Sequence, residues 1–156
     1  MADVPFDPSI IGTSRNGGTL LVTRDRLRLF AKATGQTDPV FIDLDAATKA
    51  GHRDLPVPPT FFFAVSLEAP DPFDYLADLG VDLRAILHGE QAFVYHRVAC
   101  AGDELSTRAT ITDTYSKKGG ALNFLVTETV VTNQDGAVVA TLTETLVQRQ
   151  IQEVNA

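Results

Sequence analysis

The stretch Pro58-Pro59-Thr60-Phe61-Phe62-Phe63-Ala64-Val65-Ser66-Leu67 constrains the fold more than any other part of this chain. Two prolines and a threonine suit the first turn of a helix, where the leading N–H groups have no intrahelical partner. Pro70 and the Asp71-Pro72 pair then discourage helix beyond Ala69. Between these stops, apolar residues fall on nearly every side. The spacing therefore predicts a helix with little solvent face, enclosed by the rest of the chain. A buried strand would also accommodate three Phe and a Val, and the double proline favours the helix. Each enclosed Phe contributes about 1.5–3 kcal/mol, which makes the segment a major stabilising element.

Enclosure needs a chain of some size. The 156 residues read as one domain, 1–156, with room for a proper core. A 44% apolar and 21% charged composition is that of an ordinary globular protein. The net charge of −7 argues against general affinity for nucleic acid or anionic membrane. No apolar run approaches the ~20 residues that span a bilayer. A single cysteine, Cys100, excludes an internal disulfide, and Met1-Ala2-Asp3-Val4 shows no signal-peptide pattern, so the cytoplasm is the expected compartment. His52, His88, His96 and Cys100 lack metal-ligand spacing, and no metal site is expected.

Along the chain, residues 1–18 read as a Pro/Gly/Asp-rich leading segment and Thr19–Val22 as a short β-like run. Thr23 caps a helix carrying Leu27, Phe30, Ala31 and Thr34 on one face and Arg24, Arg28 and Lys32 on another, with Gly35 as its stop. Asp43 or Asp45 caps a second short helix, and another is expected around Tyr75–Leu79. The pattern then turns to β. Gln91–Cys100, Leu105–Tyr115, Leu122–Thr132 and Ala137–Ile151 read as strands, joined by hairpin-like turns at residues 101–103, 117–120 and 133–136. Short helices followed by consecutive antiparallel strands make an α+β fold, in which a curved meander can wrap the apolar helix.

The segment Phe30-Ala-Lys-Ala-Thr-Gly-Gln-Thr-Asp-Pro-Val-Phe-Ile-Asp43 resembles the signature region of MaoC-like hydratases and dehydratases. Pro58-Pro59-Thr60-Phe61 and Leu87-His88-Gly89-Glu90-Gln91-Ala92-Phe93 through Asp103 resemble the N-terminal-type domain of that family. The likeness runs from about Leu20 to Arg149. It implies a hotdog fold, a long helix wrapped by an antiparallel sheet, and the pairing of two such units. It further implies chemistry on 3-hydroxyacyl or 2-enoyl thioesters of CoA or acyl carrier protein, with no metal or redox cofactor.

The family's catalytic segment reads Asp-x-Asn-Pro-x-His-x-Asp. Hydration of an enoyl thioester needs a carboxylate and an imidazole to deprotonate water and deliver a proton. It also needs a donor to the thioester oxygen, supplied in the family by a glycine N–H at the start of the central helix. Laid over that pattern, this chain has Gln36, Asp38 and Phe41 at the Asp, Asn and His positions, and Pro59 at the glycine. Only Pro39 and Asp43 match. Gln is no base, Phe exchanges no proton and proline has no N–H to donate. The resemblance thus implies a non-catalytic subunit that shapes the acyl channel and needs a catalytic MaoC-like partner. Phe41, Phe61, Phe62, Phe63 and His88 are the expected substrate contacts.

Asp38, His52 and His88 are the candidates to replace the lost groups in a self-sufficient homodimeric hydratase. Against those roles, an Asp before Pro caps a turn, His52 suits an exposed loop, and His88 suits a structural hydrogen bond. His88 and Glu90 share strand parity and could form an acid–base couple. Glu68 hints at a thioesterase carboxylate at the wrong spacing. The Arg24/Arg28/Lys32 stripe could hold phosphates or be a plain solvated face. A binding protein for acyl thioesters without turnover is a further alternative.

Overall fold

The computed structural model describes residues 6–149. Its strands are β1 (Ser14–Leu21), β2 (Ile86–Tyr95), β3 (Glu104–Lys117), β4 (Leu122–Thr132) and β5 (Val138–Arg149). They form one antiparallel sheet in the order β1-β3-β4-β5-β2. The helices are α1 (Arg24–Thr34), α2 (Leu44–Lys49), α3 (Phe62–Ser66) and α4 (Asp74–Asp78). This is a hotdog fold, with one face of the sheet closed over α3 and its flanking segments.

The caps lie where residue chemistry places them. The Thr23 hydroxyl accepts from the Arg26 N–H at the start of α1, and Gly35 closes that helix at φ 70°. The Asp43 carboxylate accepts from the Ala46 N–H to start α2. In β3 the expected alternation places Leu105, Thr107, Ala109 and Ile111 on the inner face, all of them buried. The main core joins Leu20, Val22 and Leu27 to Phe61, Phe62 and Val65 and to Leu105, Val131 and Leu142.

The central helix differs from the expectation of a long, enclosed rod. A 3₁₀ turn at Pro59–Phe61 runs into only five α-helical residues, Phe62–Ser66. The opening turn is closed by an i→i+3 bond, Phe61 N–H to the Pro58 carbonyl at 3.0 Å. At the other end Leu67 N–H bonds to Ala64 and Glu68 N–H to Val65, so the last turn tightens to i→i+3 spacing well before Pro70. Gly18 of β1 contributes as well: a Cβ there would overlap the Val65 carbonyl and Ala69 N–H, so the end of α3 lies directly on the β1 backbone. Enclosure is one-sided, with Phe61, Phe62 and Val65 buried, Phe63 and Ala64 half-buried and Leu67 exposed.

Two strand boundaries also shift. β2 begins at Ile86 and ends at Tyr95, about five residues earlier than the expected Gln91–Cys100. Residues 97–100 leave the sheet to meet the segment before α3, where Val57 N–H donates to the Ala99 carbonyl and Pro56 bridges Cys100. The leading segment holds a full strand, β1, whose register slips between Asn16 and Thr19 at the Gly17-Gly18 pair. Residues 1–5, expected in the leading segment, and 150–151, expected in the last strand, lie outside the described residues.

Candidate functional site

Two cavities flank α3. The first, of about 220 Å³, lies at its N-terminal end and is lined by Val40, Phe41, His52, Pro59, Phe62 and Tyr95, with Arg97 at its edge. The Pro39–Phe41 turn that carries Phe41 is held by its own side chains. The Asp38 carboxylate accepts from the Val40 N–H at 3.0 Å, and Asp38 N–H donates to Gln36 Oε1 at 3.0 Å. Asp38 and Gln36 are thereby engaged as turn caps, and neither lines the cavity. Phe41 turns its ring into it. Pro59 supplies no N–H at the helix start, and the Phe61 N–H is already taken by the Pro58 carbonyl at 3.0 Å. Among the described residues no carboxylate lines this cavity, and His52 is the one imidazole there. The three Phe of α3 divide their work. Phe61 packs edge-on against Phe30 with ring centroids 5.2 Å apart, Phe62 faces the first cavity beside Tyr95, and Phe63 faces the second.

The second cavity, of about 110 Å³, lies beneath the C-terminal end of α3, between it, the inner face of the sheet and the loop before α4. Phe63, Leu67 and Leu142 supply apolar walls; Arg15, Tyr75, Gln91, Asp71 and Glu144 supply polar ones. The Arg15 guanidinium stacks on the Tyr75 ring, 3.4 Å from its centroid. Burial pushes the Tyr75 hydroxyl up to about 12, against the pull of the Arg15 charge. Burial also raises the Glu144 carboxyl from its ordinary value, opposed by His88 and Arg15, and lowers Arg15.

His88 lies at the margin of this second cavity. Its Nε2 is 3.4 Å from Glu144 Oε1 and 3.3 Å from Gln91 Oε1, and its ring packs edge-on against Phe63 at 5.9 Å. The proposed His88–Glu90 couple does not form. The register slips at Gly89, so His88 pairs with Leu146 and Glu90 with Thr145, which places the two side chains on opposite faces. A Cβ at Gly89 would crowd Val147, which suits glycine to the bulge.

Arg15, Tyr75 and Glu144 are absent from the sequence reading. Glu144 had a legible signal: it alternates with Leu142 and Leu146 on the buried face of β5, where a carboxylate is out of place. Arg15 had none, because its Gly17-Gly18 neighbourhood reads as a loop. Two of the three cations in the α1 stripe, Arg24 and Arg28, are already engaged. Arg24 grips Asp54 through two nitrogens, Nε–Oδ1 at 2.9 Å and Nη2–Oδ2 at 2.7 Å, and Arg28 donates to the Ile42 carbonyl at 3.0 Å. Glu68 pairs with Arg26 at 2.6 Å.

An antiparallel sheet closed over a short apolar helix, with a cavity at each end of that helix, defines a hotdog domain. Residues 9–142 match the FAS1-like dehydratase domain region, and the chain belongs to that family. It is 42% identical over 149 residues to the UPF0336 protein of Clavibacter michiganensis, covering 94% of this chain and 97% of the relative. Among solved structures it resembles a chain of the C-terminally truncated HadBC complex, a (3R)-hydroxyacyl-ACP dehydratase of Mycobacterium tuberculosis. There the TM-score is 0.77 and the identity 29%, over 88% of this chain and 96% of the other. A MaoC-like dehydratase matches with a TM-score of 0.80 and 25% identity, over 93% of this chain and 44% of that one. Among the described residues, no helix is long and apolar enough to cross a membrane.

Proposed function

We propose that this chain is the substrate-channel subunit of a (3R)-hydroxyacyl-thioester dehydratase or enoyl-thioester hydratase, without an acid–base pair of its own and paired with a catalytic MaoC-like chain. The observation that carries this reading is the cavity at Phe41 and Pro59. Among the described residues it has mostly apolar walls with Arg97 at the edge, a single imidazole and no carboxylate, where hydration chemistry needs both groups and a backbone donor. Such a cavity can receive methylenes of an acyl chain, which gain about 0.8 kcal/mol for each CH₂ buried. The HadBC complex, built from dehydratase subunits, supports the pairing by analogy.

The edge strand β2 is the surface we assign to the partner. It carries exposed Leu87, Val94 and Tyr95, with Val98 just beyond, and its outer ladder is open to another strand. Hydration of crotonyl- or longer enoyl-thioesters tests the reading, using the purified chain alone and mixed with a MaoC-like chain whose Asp-x-Asn-Pro-x-His segment is intact. The chain alone should turn over barely above background and the mixture well above either component. Turnover near ~10 s⁻¹ by the chain alone would overturn it. A second reading, a homodimer that works with one imidazole, draws on His52 in the same cavity. His52→Ala, which should then abolish the activity of the chain alone, separates the two.

A further inference from the structure

The cavity at the other end of α3 has a composition that an ordinary acyl tunnel does not require. We propose that it receives the far end of the acyl chain and selects chains bearing a neutral oxygen function there, a hydroxyl or keto group, over plain alkyl chains. This rests on the acyl-thioester reading above.

Geometry sets the position. Phe62 faces the first cavity and its neighbour Phe63 the second, so both open onto the same short helix. Pro59 and Leu67 bound that helix at its two ends, and eight residues at ~1.5 Å each separate them by roughly 12 Å. An acyl chain of medium length matches that span. Phe63, Leu67 and Leu142 can take its methylenes.

Chemistry sets the choice of end group. The guanidinium of Arg15 carries five N–H donors, and among the described residues none of them has a hydrogen-bond acceptor; its contact is the face of Tyr75. A plain alkyl end would displace water from those donors and return nothing, leaving a half-buried charge unpaired. An anionic end would meet Arg15 but also the Glu144 and Asp71 carboxylates that line the same space. A cationic end would meet the guanidinium. A neutral oxygen accepts from Arg15 without either conflict, and a hydroxyl can donate to Glu144 as well. At about 110 Å³ the space exceeds by several-fold the ~10–15 Å³ that one water needs, enough for the end of a chain with its oxygen.

The test uses the full chain and two probes that differ in one atom, the pantetheine thioesters of decanoic and 10-hydroxydecanoic acid. The carrier-free pair 1-octanol and 1,8-octanediol accompanies them. Affinities come from calorimetry, and the Arg15 Nε–Hε resonance in ¹⁵N-labelled protein reports on the guanidinium itself. The hydroxylated thioester should bind at least tenfold more tightly than the plain one and shift the Arg15 resonance. Arg15→Met, which keeps an unbranched stem, should abolish or reverse that preference. Should Arg15→Met not fold, the resonance shift in the unmodified protein decides the matter. Equal affinities without a shift at Arg15, or tighter binding of the plain chain, would overturn the proposal and leave the thioester reading in place. Octanediol shifting Arg15 while neither thioester binds would uphold the polar cavity and sink the thioester reading. No binding of any probe overturns the proposal.

Discussion

The two cavities on either side of α3 are built from neighbouring residues of the same short helix, yet their chemistry is opposite. The one at Phe41, Pro59 and Phe62 has mostly apolar walls, with His52 and Arg97 as its titratable groups among the described residues. The one at Phe63 and Leu67 opens between the sheet and the loop before α4, and it holds Arg15, Tyr75, Gln91 and Glu144. The contrast teaches that one short helix can carry two differently furnished spaces on its two sides. The polar investment sits at a different place, where it can act on binding rather than on bond making.

Restoring chemistry to the apolar cavity is the most forceful way to break the contrast. Acid–base help is typically worth roughly 10²–10⁴-fold and one oxyanion donor about 10²–10³-fold. Gln36→Asp with Phe41→His should give little hydration, and adding Pro59→Gly should raise it by well over tenfold, read as initial rates on crotonyl thioester after the melting transition confirms folding. A double variant already efficient with Pro59 intact would show that the oxyanion donor is elsewhere.

Alanine at each phenylalanine compares the two walls in stability. Phe61→Ala and Phe62→Ala remove buried rings and should each cost about 3–5 kcal/mol. Phe63→Ala borders open space and should cost visibly less. Urea titrations with unchanged slope check this, and equal losses at Phe62 and Phe63 would erase the distinction between the two sides.

The polar cavity should announce itself at alkaline pH. Tyr75, held at about 12 by burial against an ordinary value of 10.0, stays protonated in the folded chain while the unfolded chain ionises. The folded form thus binds more protons above pH 10, and stability falls as pH rises from 10 to 12, by roughly 2–3 kcal/mol from this group. Below pH 10 the contribution is complete. Tyr75→Phe, which keeps the ring under Arg15, should flatten that part of the decline; an unchanged pH profile would mean the phenol is not enclosed. The smallest effect expected is at His52, at the margin of the apolar cavity. His52→Ala should alter stability by no more than ~0.5 kcal/mol, because its ring makes no hydrogen bond among the described residues. A larger loss in thermal unfolding would reveal a structural role.

Much of the fold could be read directly because it is written in local chemistry. Thr23, Asp43 and Gly35 cap helices by their own side-chain oxygens or by glycine's tolerance of positive φ. β4 runs from Leu122 to Thr132 as its β-branched run predicts. The length of α3 was not legible, since two prolines and three Phe suit both a long helix and a five-residue one; the approach of the Gly18 backbone to Val65 comes from β1, more than forty residues away. The parity of His88 and Glu90 failed for a similar reason, since the bulge at Gly89 is a property of how β2 registers against β5.

The sequence by itself determined which side chains stand at residues 36, 41 and 59. A Gln, a Phe and a Pro cannot become a base, an imidazole or an N–H donor in any fold, so what Gln36, Phe41 and Pro59 can offer follows from residue identity alone. Only the tertiary structure decided where the remaining polar groups converge. Arg15, Tyr75 and Glu144 are separated by as many as 129 residues, and each alone reads as loop, helix or strand. Their meeting beneath α3 depends on the order β1-β3-β4-β5-β2 and on the loop that folds α4 back over the sheet. A side chain's chemistry is local, and the company it keeps is set by strand pairing and packing across the whole chain.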